Sequence, residues 1–408
     1  MHRNITTASI HVDGYPLKHL SFFALGLALV LAGCFQDPSP TGVPLLPDGD
    51  LVNLTTYDSR SDSTAIAATS SPLTRITTAG SPLLSIGAAD GYEASAVIRW
   101  LGFPYDIGGG GTILSATLTL HPSLYRIGST SDPIALSIRA MGRAWSSYTV
   151  TWDSIGVLRG AATTTVGSYA GSAADSIGIA IDSSIVRTWL RHSFDGTHSQ
   201  IYGLLLEPGA GMNVVQSFHS TDPLGDGTAN PRSPSLVVRM LWNGKDTTIT
   251  ATLPEDAYIA NCTIDPPATS LTMLGGIARR GHVVPDFGAI PSGSIINAVT
   301  MTLHLDSAHT LIRYRGIDSL LVYELKADGT LGSTYGVAKR TGAPGEYSCT
   351  APFFVSVVQR WVNSPALTTA FVLVKAGEIA DLDRTAFHGA TAPLELRPRF
   401  VITYTRQQ

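Results

Sequence analysis

Along much of this chain apolar and polar residues alternate one by one. Ala96-Val97-Ile98-Arg99-Trp100, Thr117-Leu118-Thr119-Leu120, Ile134-Ala135-Leu136-Ser137-Ile138 and Leu236-Val237-Val238-Arg239-Met240 all carry this alternation. A period of two sends every second side chain to one face, as in a half-buried strand. Many short strands with Gly- and Pro-rich turns between them predict antiparallel β-sandwiches rather than a parallel α/β sheet. One segment keeps a different period. In Ser184-Ile185-Val186-Arg187-Thr188-Trp189-Leu190 the apolar Ile185, Val186, Trp189 and Leu190 share a face at helical spacing, and Asp182 or Ser183 can cap the amides in front. A short helical turn held by a tryptophan is expected there.

That segment returns as Ser356-Val357-Val358-Gln359-Arg360-Trp361-Val362, and its neighbours return in the same order. Thr117-Leu118-Thr119-Leu120-His121 matches Thr300-Met301-Thr302-Leu303-His304. Phe218-His219 matches Phe387-His388, and Pro234 with the strand after it matches Pro398 with the last strand. The offset between copies shrinks steadily along the chain, as shorter loops in the second copy would produce. The pattern predicts a duplicated chain. A first domain is expected over 51–241, a turn-rich join at 242–246 and a second domain over 247–408. At 408 residues there is length for two cores.

Composition narrows the class. Charged residues make up 14% of the chain, against about 25% in an average soluble domain, so Ser, Thr, Gly and Asn must build most of the surface. Lys and Arg number 27 against 31 Asp and Glu, which leaves no basic excess to hold phosphate and argues against nucleic acid. Near the start, Arg3 and Lys18 precede an apolar run from Leu20 to Val30, too short to span a bilayer and of signal-peptide dimensions. The run ends in Leu31-Ala32-Gly33-Cys34, which resembles the lipobox of bacterial lipoproteins. The resemblance implies a signal peptide over 1–33, lipidation of Cys34 and a membrane anchor, with Phe35 at the next position compatible with an outer membrane or cell-surface destination. The alternative is an ordinary signal peptide that happens to precede a cysteine. Residues 34–50 carry Pro38, Pro40, Pro44 and Pro47 and read as a tether, extended at about 3.1 Å per residue.

The second copy opens with Asp256-Ala257-Tyr258-Ile259, Leu271 to Leu274, Arg280, Ile290-Pro291-Ser292-Gly293 and Ile296-Asn297-Ala298. The first holds Leu84-Ser85-Ile86-Gly87, Ile98-Arg99, Ile113 to Leu120 and Trp145-Ser146-Ser147-Tyr148-Thr149-Val150-Thr151-Trp152. These runs resemble DNRLRE domains, also called disaggregatase-related or carbohydrate-binding-module-like. Trp followed by Val-Thr-Trp is the most specific part of the likeness. The resemblance implies a jelly-roll β-sandwich in each copy and, by analogy with relatives beside polysaccharide-active enzymes, binding of polysaccharide. The second copy departs from it, with Leu320-Leu321-Val322-Tyr323-Glu324-Leu325 and a Gly-containing loop where the tryptophan stretch would stand.

Trp145, Tyr148 and Trp152 are therefore the candidate glycan-contacting residues, since amphipathic aromatics combine contact area with a polar handle. The competing reading is that they seal the sandwich, because alternation sends Val150 and Trp152 to one face. Asp222 and Asp226 can supply oxygen ligands to calcium, although Asp-Pro and Asp-Gly are ordinary turn dipeptides and no full calcium-loop spacing accompanies them. No other cofactor is indicated. His192, His198 and His219 match no zinc spacing. Cys262 and Cys349, left over after Cys34 and outside the cytoplasm, are candidates for a disulfide, with two buried thiols as the alternative. No Gly-x-Ser-x-Gly elbow, His-Glu-x-x-His motif or phosphate loop is present, and Gly108 to Gly111 reads as a turn. The sequence thus predicts an all-β chain of two tandem jelly-roll-like antiparallel β-sandwiches behind a lipoprotein signal peptide and a Pro-rich tether. Its expected role is non-catalytic, a cell-envelope lipoprotein whose partners are the membrane and a polysaccharide. A structural or adhesive surface protein is the alternative, and a polysaccharide hydrolase a distant third.

Overall fold

The computed structural model describes residues 54–406 apart from 105–110, 197–199, 222–229, 266 and 314–318. The chain is all-β, built from curled antiparallel sheets packed as sandwiches. Each alternating stretch named above lies in a strand: Tyr92–Gly102, Thr112–Leu120, Ile134–Ala140 and Ser235–Trp242. The two helical-period segments are helices, Ser183–Asp195 and Pro352–Asn363. Asp182 caps the first by accepting from the Ser184 amide at 2.8 Å, and Pro352 opens the second, where a missing N–H costs nothing. Trp189 and Trp361 are both buried, each against its own core.

The two halves are wired alike. Thr112–Leu120 lies between Ile177–Ala180 and Ser235–Trp242, as Ile295–His304 lies between Glu346–Thr350 and Arg399–Thr405. Ile134–Ala140 lies between Thr164–Gly171 and Leu204–Pro208, as Ser319–Leu325 lies between Leu331–Arg340 and Phe371–Lys375. Leu83–Ala89 pairs with Val214–His219, as Ser270–Leu274 pairs with Arg384–His388. The inward residues of the facing sheets share a core, with Ile98, Leu136 and Leu206 meeting Leu118, Ile179 and Val238 in the first half.

The pairing departs from the expected domain boundary. Residues 242–246 are no linker: Asn243 and Gly244, at φ 50° and 73°, form the two-residue turn of a tight hairpin between Ser235–Trp242 and Lys245–Thr250. Positive φ at both places is what a hairpin turn matched to strand twist requires. The chain then continues into Thr252–Cys262, which pairs along Tyr92–Gly102 from Thr252 opposite Gly102 to Cys262 opposite Tyr92. A strand expected to open the second domain therefore completes the first. The reverse also holds. Leu54–Asp58 pairs with Arg399–Thr405, and Ile66–Ser70 pairs with Gly281–Pro285, so the first described strands complete the second half. Asp58 and Arg399 lock this arm through two hydrogen bonds of 3.0 and 2.6 Å, and Ile66 enters the second core.

The halves also meet through side chains. Leu274, Ile277 and Leu382 join the first-half core, and the Tyr258 hydroxyl donates to the Ile379 carbonyl at 2.8 Å. The Tyr125 hydroxyl accepts from the Leu382 amide at 2.9 Å. Beside it lie Lys375, Asp381 and Asp383, 5%, 1% and 1% exposed. Lys375 Nζ contacts Asp381 Oδ1 and stands 3.8 Å from Asp383 Oδ2, while Asp381 Oδ2 has no partner among the described residues. Burial, together with the neighbouring Asp383 carboxylate, pushes the Asp381 carboxyl up, against the pull of Lys375.

Two outcomes follow. A fragment spanning 71–262 should show a cooperative melting transition, whereas 51–241, which lacks the strand bearing Ala257, Tyr258 and Ile259, should not; equal behaviour of the two in circular dichroism melts would contradict the exchanged pairing. Because the folded Asp381 carboxyl holds its proton to higher pH than a free aspartate does, its contribution to stability is complete below the unfolded pKa and is lost as pH rises through the folded one. Asp381→Asn should therefore remove a loss of stability above pH 4 that the native chain shows (about one unfolded carboxyl pKa), read as urea midpoints across a pH series.

Candidate functional site

Between Ile134–Ala140 and Thr164–Gly171 the first half carries an insertion that the second lacks. It crosses the outer face of the sheet, and Met141, Trp145, Val150, Ile155 and Leu158 form a separate small core with Val97, Leu205, Ala257 and Ile259 beneath. The insertion is not a strand. Trp152–Ser154 is a single 3-10 turn leading into the helix Ile155–Ala161, and the Thr151 amide donates to Ser154 Oγ at 3.4 Å. Asp153 and Ser154, good helix-start residues, end the alternation that the Val-Thr-Trp run suggests.

The three aromatics of the insertion are used differently. Trp145 is 8% exposed, and its indole N–H donates to the Tyr202 carbonyl at 2.7 Å. Its ring lies under the Arg99 guanidinium, 5.0 Å from the ring centre. Trp152 is half-buried with Arg159 over its ring at 5.8 Å, and Arg159 in turn reaches Glu207 and Glu93, each at 2.6 Å. Tyr148 is 79% exposed. Two of the three candidates thus fasten the insertion to the sheet, and one faces solvent.

Glu255 holds the insertion in place. Its Oε2 accepts from Arg99 Nε at 2.8 Å, and its Oε1 accepts from the Ser147 amide at 3.0 Å and the Ser147 hydroxyl at 2.9 Å. Burial works to raise this carboxyl, but the Ser147 and Arg99 bonds outweigh it and hold it below the usual range. Sequence reading missed Glu255 because it stands in the strand exchanged from across the hairpin. Arg75 adds a further tie, 3.1 Å from Asp153.

Beside Ser146 and Thr149, which flank the Ser147-Tyr148 pair, the insertion leaves an open groove of about 350 Å³, lined in part by Arg143, Trp145, Asp153 and Val157; Tyr148 itself is not part of its wall. At Ala144 it adjoins a second cleft of about 540 Å³ among Arg99, Leu101, Phe103, His192 and Tyr202. The groove therefore offers apolar wall, guanidinium, hydroxyl and carboxylate together, the mixture that polyhydroxylated ligands use.

The remaining candidates fall elsewhere. Cys34, Asp222, Asp226 and His198 lie outside the described residues. Among the described residues no three His, Cys, Asp or Glu side chains converge as metal ligands, and no helix is long and apolar enough to cross a membrane. The expected disulfide does not form: Cys262 and Cys349 are separate thiols. Cys262 ends the exchanged strand and packs against the first core, whereas Cys349 sits in the second, facing Gly336. Burial pushes the Cys349 thiol up to about 11. His219 is partly buried, which lowers its affinity for a proton.

Neither a protein-family profile nor a curated protein sequence matches the chain. Solved structures similar to it include infectious bursal disease virus strain Gx, at 13% identity over 89% of this chain and 79% of that one, with a TM-score of 0.13. The Macrobrachium rosenbergii nodavirus is similar at 10% identity over 98% and 96%, with a TM-score of 0.15. Likenesses of that size carry no argument about function.

Glu255→Gln should loosen the insertion while leaving both sandwiches folded, at a cost of about 2 kcal/mol for weakened charge-assisted bonds. Hydrogen exchange of the Ser147 and Val150 amides is the direct readout; exchange as slow as in the native chain would show that Glu255 does not hold the insertion.

Proposed function

We propose that this chain is a non-catalytic lipoprotein of the cell envelope, lipid-anchored at Cys34, that displays its β-sandwiches and binds polysaccharide on the insertion that carries Tyr148. The observation that carries the reading is the exposure of Tyr148, 79%, on an insertion held by Glu255 at Ser147, by the Tyr202 carbonyl at Trp145 and by Arg159 at Trp152. An exposed ring on a rigid mount loses little conformational freedom when a sugar stacks on it. The low charge of the chain, the lipobox-like Leu31-Ala32-Gly33-Cys34 and the likeness to DNRLRE domains support the same role at an outer membrane or cell surface. The alternative is adhesive contact with another surface protein. It draws on Leu101 and Val157, 57% and 51% exposed, which line the two adjoining clefts.

Tyr148→Ala should weaken retention of the mature chain on a bound polysaccharide by about tenfold, the loss of one good stacking contact, without moving its melting temperature. A polysaccharide panel that retains neither the native chain nor the variant would end the glycan reading and favour the adhesive one. Cys34→Ser should release the protein from membranes or leave the leader uncleaved; unchanged partitioning into detergent with normal cleavage would remove the anchor from this account.

A further inference from the structure

Among the described residues, the outer face that the insertion covers in the first half has no such cover in the second. There Ser319–Leu325 and Leu331–Arg340 are joined by a short turn, closed by the Lys326 amide on the Thr330 carbonyl at 2.8 Å. Leu320, Val322 and Ala338 point into the core, so the alternate residues point outward. The register sets Tyr323 opposite Tyr335 and Leu321 opposite Val337 on that outer face. Tyr335 is 51% exposed and Val337 37%, and the two tyrosine rings stand 5.3 Å apart at 46°. The Arg280–Glu378 ion pair, with bonds of 3.0 and 2.8 Å, is close enough to Tyr323 to act on its hydroxyl electrostatically.

We infer that this tyrosine pair is a second polysaccharide-contacting surface, separate from the insertion that carries Tyr148. The inference rests on the reading that the chain binds glycan. The occupant follows from the size and chemistry of the patch. Two rings with a valine and a leucine between strands make a narrow apolar strip, far below the roughly 800 Å² per partner of a stable protein interface. A sugar ring has an apolar C–H face for such a strip and a rim of hydroxyls for the tyrosine O–H groups and the charged pair beside them. One polysaccharide chain touching both halves would be held by two linked contacts, which raises avidity beyond either alone.

The test uses the mature full chain in pull-downs on cellulose and chitin and in affinity electrophoresis through xylan and alginate. Tyr335→Ala, Tyr148→Ala and the double variant are compared, with melting curves to confirm folding. Tyr335→Ala should weaken binding to the same polysaccharide by about tenfold, and the double variant should bind more weakly than either single one. Tyr335→Phe, which keeps the ring, should retain most of the affinity. Binding by the native chain that Tyr335→Ala leaves unchanged would overturn this surface while sparing the insertion. No binding by the native chain to any of the four would overturn the glycan reading and this inference with it. Sedimentation showing a native dimer that Tyr335→Ala dissociates would assign the face to a second copy of the chain instead.

Discussion

A strand inside a sandwich has two rows of backbone N–H and C=O groups to satisfy, and whichever neighbour supplies the second row decides what the folded unit is. In this protein the neighbour of Tyr92–Gly102 is Thr252–Cys262, delivered by the Asn243-Gly244 hairpin, and the neighbour of Gly281–Pro285 is Ile66–Ser70, delivered from the opposite end of the chain. Each half is completed by strands that lie, in sequence, beside the other. Leu54 consequently sits opposite Thr405, and the two ends of the described chain meet in one sheet.

The rest of the structure leans on this exchange. The strand that completes the first half brings Tyr258 to the junction and Glu255 to the insertion, so one element ties the halves together and mounts Tyr148. Pairing the first described strand with the last also makes the second half wait for the whole chain during folding. Contacts of such long sequence separation are slow to form, and the unpaired edge of Gly281–Pro285 is open until the arm docks.

The two halves spend the same outer sheet face in opposite ways. The first covers it with an insertion that buries Trp145 and exposes Tyr148; the second, among the described residues, leaves Tyr323 and Tyr335 on an uncovered sheet face. Duplication followed by a change in one loop is enough to produce the difference, because the strands on either side keep their pairing. The burial of Trp145 follows from sheet geometry: Val97, Leu205, Ala257 and Ile259 present an apolar outer face that must be removed from water.

The alternation of the strands, the caps and apolar faces of the two helices and the order of the repeat are legible in the sequence because each depends on residues a few places apart. Tyr148 could be singled out for the same reason, as one of three aromatics in a short run. Which of those aromatics is exposed was not legible, since it depends on Tyr202, Arg99 and Glu255, and on the Glu93 and Glu207 that hold Arg159, all distant along the chain. The boundary at 242–246 misled on similar grounds. A turn-rich stretch looks the same whether it links two domains or closes a hairpin within one sheet, and only the partner found by the next strand distinguishes them. The fate of Cys262 and Cys349 was settled in the same way, by the exchanged strand that carries Cys262 into the core of the other half. Local periodicity determines which residues form strands; the choice of edge partner is made by tertiary packing, where hydrogen-bond satisfaction and burial are decided between segments that the sequence keeps apart.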